Sequence, residues 1–154
     1  MNDAAATTIV RRATADDLDA VWPLARDFAM SFTPRREPFA TTFRALLTTA
    51  DALLLVADRG SGAVGYLLAH RHRTFLADAP VVWVEEVMVD AVLRGQGVGR
   101  KLMAAAEAWA AVSGAAYVSL ASRRSGNFYQ ALGYEDSATF FKKSVAPSRG
   151  EPSR

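Results

Sequence analysis

The sequence predicts a mixed α/β domain, with hairpin-forming strands in its first half and a strand-helix-strand unit in its second. Two apolar runs, Leu53 to Ala57 and Val64 to Ala69, flank Asp58-Arg59-Gly60-Ser61-Gly62, whose glycines suit a tight turn, so they read as a hairpin. A β-branched run, Val81 to Val89, leads into the glycine loop Arg94 to Gly99 and then into a helical apolar repeat. Ala116 to Ala121, apolar again, completes a βαβ unit, which implies parallel pairing and a right-handed crossover.

The remaining elements follow in order. Thr8 to Arg12 reads as a short strand, and Thr14 with Asp17 three positions on resembles a capping box that opens a helix. Leu18, Val21, Trp22, Ala25 and Phe28 give that helix one buried face, with Pro23 expected to kink or restart it. Thr33 to Pro38 reads as a loop, and Phe39, Phe43, Leu46 and Leu47 mark a second amphipathic helix. The polar stretch His70 to Asp78 reads as the connection to the central strand. After the glycine loop, Leu102, Ala105, Ala106, Trp109 and Val112 repeat with helical period until Gly114. A short helix is expected around Phe128 to Leu132, a last strand from Tyr134 to Lys143, and a disordered tail over 146–154, leaving 1–145 as one folded domain.

Bulk properties exclude several classes. The 154 residues suit a single core, and 18 basic against 16 acidic side chains leave too little charge to argue for a nucleic-acid or membrane surface. No cysteine means no disulfide, no thiolate nucleophile and no cysteine metal site. His70 and His72 lack acidic or cysteine partners at ligand spacing, so no metal is expected. The start lacks a basic leader, and no run reaches the roughly 18–20 apolar residues of a membrane span, so a cytoplasmic location is expected.

The loop Arg94-Gly95-Gln96-Gly97-Val98-Gly99 carries the strongest chemical signal. Glycines where a strand turns into a helix let backbone N–H groups approach an anion, and the helix dipole adds positive charge. A Walker A loop is excluded by spacing, and the dinucleotide fingerprint fails because Arg100 stands where its third glycine belongs. What fits is Arg94-x-x-Gly97-x-Gly99, with a second motif downstream, Ser122 to Tyr129 closed by Gly133-Tyr134.

These two motifs together resemble those of the GNAT acetyltransferases. The resemblance implies a GNAT-like α/β fold with a mixed central sheet of about six to seven strands and about four helices. It also implies acetyl-CoA as acyl donor and a primary amine of a small molecule or protein as acceptor. Val87, Met88 and Val89, then Arg94, Gly95, Gln96, Gly97, Val98, Gly99 and Arg100, then Ser122, Ser125 and Tyr129 take the positions that would contact the cofactor. Ser122 departs from the Asn, and Ser125 from the small alanine, usual in the second motif. The oxyanion donor is expected to be a backbone N–H near Met88. Such folds commonly form homodimers, and no surface stripe in this sequence marks an interface.

Acetyl transfer to an amine needs a base for the ammonium proton and an acid for the departing thiolate. Glu85 and Glu86 stand in an otherwise apolar strand, where successive side chains face opposite ways and burial raises a carboxylate's pKa. The resemblance favours Glu85, with Glu86 the alternative, and it gives Tyr129 the acid role. His70 to Arg73, with Arg35 and Arg36, read as solvated charge rather than an acceptor site. Two other readings stay open: a non-catalytic acyl-CoA sensor, and a transferase of longer acyl chains. Retention of Glu85, Glu86 and Tyr129 argues against the sensor.

Overall fold

The computed structural model describes residues 7–29 and 32–146. Its strands β1 (Ile9–Arg12), β2 (Ala52–Asp58), β3 (Ala63–Arg73), β4 (Pro80–Val89) and β5 (Val118–Leu120) lie side by side in chain order. The first three pairings are antiparallel and β4–β5 is parallel. That single parallel step requires a crossover, and α3 (Val98–Val112) supplies it. The chain separates into two compact units, 1–120 and 121–154.

Period-two alternation divides the sheet's side chains between two helical layers in the first unit. Leu54, Val56, Tyr66 and Leu68 face α1 (Leu18–Phe28) and α2 (Arg36–Leu47), which contribute Leu18, Val21, Leu24 and Phe43 to one cluster. The alternate residues, Leu53 and Leu67 among them, lie on the face that α3 covers with Leu102 and Met103. Burial of each such leucine contributes about 1.5–3 kcal/mol. Because helices cover both faces, β2 is buried along nearly its whole length.

The entry to α1 is fixed by charge. Arg11 donates to both oxygens of Asp17, at 2.7 and 2.8 Å, and to Asp58 at 3.0 Å, while the Thr14 N–H donates to Asp17 at 2.8 Å. Asp17 is buried, and its Arg11 bond holds its pKa below the ordinary carboxylate value. The expected pairing of Thr14 with Asp17 is thus present, with β1 and β2 tied into it. Asp17→Ala is expected to cost about 1.5–3 kcal/mol at pH 7. Since the folded pKa is depressed, that contribution is complete above about pH 4 and fades as pH falls through the folded value. Urea unfolding of both proteins at pH 7 and pH 3 checks this, and an undiminished gap at pH 3 would exclude the charge as its source.

The structure corrects several expectations. Helix α1 does not restart at Pro23 but continues through it as one element, and α2 begins at Arg36, inside the expected loop, with Pro38 in its first turn where a missing N–H costs little. His70 to Arg73 extend β3, pairing with Trp83 to Pro80, because a ladder needs a partner backbone rather than apolar side chains. The expected strand Tyr134 to Lys143 is absent: residues 135–146 are exposed and pair with no strand. Among the described residues the sheet therefore has five strands rather than six or seven. The second unit holds α4 (Gly126–Ala131), close to the expected short helix. Apart from Ala146, the expected tail lies outside the described residues.

Candidate active site

Strand β4 carries one residue more than its partner. Leu68 pairs with Glu86 and Ala69 with Val84, so Glu85 is the surplus residue of a β-bulge. Glu85 is exposed. Glu86, opposite Leu68, shares the face that α1 and α2 cover, and the Tyr66 hydroxyl donates to its Oε1 at 2.8 Å. Burial pushes the Glu86 carboxyl up, the Tyr66 bond opposes that, the neighbouring Glu85 charge raises it further and His70 lowers it. Tyr66 is held in its phenol form by burial and by the charge of Glu86. Glu86 also lines a hollow of about 70 Å³ between α1, α2 and the sheet.

The bulge marks a second change. β5 pairs with β4 only at Val82, Trp83 and Val84, and β4 continues five residues further without it. The Asp90 N–H donates to Val64 on the β3 side at 2.8 Å. Backbone N–H groups alternate in direction along an antiparallel strand, so that of Met88 points to β3 and those of Val87 and Val89 point to the side where β5 has ended. The donors on this open side are therefore the neighbours of Met88. Val89 O points the same way and accepts from Arg94 Nε at 3.4 Å.

At the end of β4, Asp90 accepts from the Val92 N–H at 3.1 Å and closes a single 3₁₀ turn, Ala91–Leu93. The glycine loop follows. Gly95 and Gly97 have φ of 79° and 83°, left-handed values that a side chain opposes. Gly97 is the N-cap of α3, and the first helical bond runs from Lys101 N–H to Gly97 O at 3.1 Å. The N–H groups of Val98, Gly99 and Arg100 thus have no partner within the helix. Arg59, in the β2–β3 turn, donates to Gln96 Oε1 at 3.1 Å, and Lys101 Nζ to Thr8 O at 3.3 Å, which places both cations beside the loop.

In the second unit, the Ser122 hydroxyl accepts from the Ser125 N–H at 3.0 Å and shapes the turn into α4, whose N-cap is Ser125. Tyr129 is half-buried and packs edge-on against Phe128 and Tyr134, with ring centroids 5.0 and 5.9 Å away. Burial raises its pKa, which keeps the phenol protonated at neutral pH.

The first unit thus brings together Glu85, Glu86, Val87 to Val89 and Arg94 to Arg100, and the second holds Ser122, Ser125 and Tyr129. Sequence reasoning missed Tyr66 and Arg59. Tyr66 has a signal, because a phenol inside an aliphatic buried strand must find a partner for its hydroxyl. Arg59 has none, since its reach to Gln96 depends on tertiary placement. Among the described residues no cluster of three or more His, Cys, Asp or Glu side chains is placed to hold a metal ion, and no helix is long and apolar enough to cross a membrane.

Comparison with known proteins adds the family. No curated protein matches the sequence. Solved structures share the fold at low identity. A transcriptional regulator from Bacillus halodurans C-125 is 22% identical, with a TM-score of 0.83 over 90% of this chain and 100% of its own. Glucosamine-6-phosphate N-acetyltransferase from Arabidopsis thaliana is 18% identical, with a TM-score of 0.80 over 91% and 99%. An aminoglycoside N-acetyltransferase in complex with CoA is 19% identical, with a TM-score of 0.82 over 95% and 100%. The model of the Acetyltransferase (GNAT) family matches residues 18–134, which takes in the bulged strand, the glycine loop and Tyr129. This chain belongs to the GNAT acetyltransferase family.

Proposed function

We propose that the chain is an N-acetyltransferase that moves an acetyl group from acetyl-CoA to a primary amine. The observation that carries this reading is the placement, within one unit, of an anion-ready helix N-terminus at the end of the strand that presents Glu86 and an open backbone edge. The groups at the loop suit a pyrophosphate. Three helical N–H groups point out of α3, Gly95 and Gly97 leave the approach clear, and Arg59, Arg100 and Lys101 are the nearby cations.

When bound, acetyl-CoA supplies an acyl group activated as a thioester. The rest is assigned to the chain. An aliphatic ammonium titrates near about 10.4, so the acceptor must lose a proton before it can attack. Glu86 takes that proton, because its raised pKa makes it a stronger base than an ordinary carboxylate. The Val87 and Val89 N–H groups stabilise the developing oxyanion on the open side of β4. Tyr129 gives the departing thiolate its proton, the role its resemblance to the family tyrosine assigns, and recovers one from the nitrogen, which sheds its second proton as the amide forms.

A thiol-release assay of acetyl-CoA against amines, polyamines, aminoglycosides, amino acids and peptides tests the reading. Release with at least one amine is expected. Acetyl-CoA binding without release from any acceptor would leave the sensor reading in its place. Tyr129→Phe is expected to slow turnover about 10²–10⁴-fold with little change in acetyl-CoA affinity. Full activity in that variant would remove Tyr129 from the mechanism.

A further inference from the structure

We propose that the acceptor carries its amine on a compact apolar group, seated in the hollow between α1, α2 and the sheet with the nitrogen at Glu86. This rests on the reading of Glu86 as the base.

The hollow's wall decides what can enter. Val21, Phe39, Phe43, Leu46, Leu54 and Leu68 line it, and all are apolar. Its polar groups are Thr42, the Tyr66 hydroxyl and Glu86, and the Tyr66 hydroxyl is already committed to Glu86 at 2.8 Å. Among the described residues, Glu86 is therefore the one acid in the lining. One ammonium is met by one carboxylate. A second ammonium, or a hydroxylated ring, would sit against aliphatic and aromatic carbon without partners, which costs several kcal/mol per group. An alkyl group meets the opposite balance, gaining about 0.8 kcal/mol for each methylene it buries.

Size narrows the class further. A volume of about 70 Å³ holds a few heavy atoms, since one water needs about 10–15 Å³. That suits a short branched alkyl chain better than a sugar ring. The surroundings point the same way. Arg35, whose carbonyl accepts from the N–H of Phe39 in the lining, adds positive charge at the start of α2. Arg36 itself pairs with Asp19, which removes that acid from service to a second ammonium.

Isoamylamine, spermidine and kanamycin serve as probes. With acetyl-CoA saturating, kcat/KM for isoamylamine is expected to exceed that for either polyamine-type probe at least about tenfold, the scale of a few buried methylenes. Thr42→Leu and Ala25→Leu add carbon to the hollow's wall and are expected to raise KM for isoamylamine about tenfold while leaving KM for acetyl-CoA unchanged. Thr42 is exposed on α2, so its variant folds even if the Ala25 variant does not. Preference for spermidine or kanamycin, or an unchanged isoamylamine KM in the Thr42 variant, would overturn the proposal. If no amine releases thiol, the transferase reading falls separately. Calorimetric binding of isoamylamine that Thr42→Leu weakens would then still support the hollow, and no binding would overturn it.

Discussion

Glu86→Gln is expected to lower kcat/KM about 10²–10⁴-fold, the range assigned to a lost general base, while Glu85→Gln changes it little. The two carboxylates are adjacent in sequence but differ in surroundings. Glu85 is exposed on the bulge, whereas Glu86 is drawn against the α1 and α2 layer and bonded to Tyr66. Glutamine keeps the shape and can still accept from Tyr66 through its amide oxygen, so the loss reports the proton site rather than a collapsed hollow. The pH dependence follows from the direction of the shift. A base acts when deprotonated, so activity climbs as pH rises through the Glu86 pKa, and burial places that limb above the ordinary carboxylate value of about 4.3. Tyr66→Phe removes the bond that opposes burial and is expected to move the limb to higher pH. Steady-state kinetics across pH on all three variants check this. A collapse confined to Glu85→Gln would transfer the role to that residue.

Gly97→Glu is expected to abolish measurable acetyl-CoA binding, a loss of at least about 10²-fold. Apart from its chain neighbours, no described atom lies within 4 Å of the position a Cβ would take, so the space there is open. The φ of 83° strains any side chain, at about 1–2 kcal/mol, which a 154-residue domain tolerates. The new carboxylate then lies at the α3 N-terminus, where the dipole favours it and where it stands in for the pyrophosphate the loop would hold. Gly97→Ala carries the strain without the charge and separates the two effects. Calorimetry is the measurement, and unchanged affinity in the glutamate variant would remove the loop from the donor site.

Where the sequence spoke clearly, local chemistry was sufficient. The hairpin turn at Asp58 to Gly62, the Thr14–Asp17 pairing and the order strand, glycine loop, α3, β5 all follow from spacings that survive tertiary context. Where it was silent, the deciding partner lay far along the chain. His70 to Arg73 look like a loop by composition and become strand because β4 is there to pair with them. Tyr134 to Lys143, with Phe140 and Phe141, look like a strand by composition and join no strand of the sheet. The bulge is invisible for a different reason: an extra residue in Val-Trp-Val-Glu-Glu-Val-Met leaves the composition unchanged and shows only in the register against β3. That register, not the count from the glycine loop, separates Glu85 from Glu86.

The surplus residue at position 85 also divides β4 by what its backbone answers to. Over Val82 to Val84 the strand has a neighbour on each side, and its hydrogen bonds are an internal matter of the sheet. Beyond Glu85, β3 remains and β5 does not, so half of the main-chain donors and acceptors look outward. Removing Glu85 would return Glu86 and Val84 to an uninterrupted ladder without moving either to another face, which makes it a residue the sheet itself does not require. Tolerance to substitution should therefore change character at Val84. On one side a proline at any position breaks a ladder, and on the other, at Val87 or Val89, it silences a donor that no strand of this sheet was using.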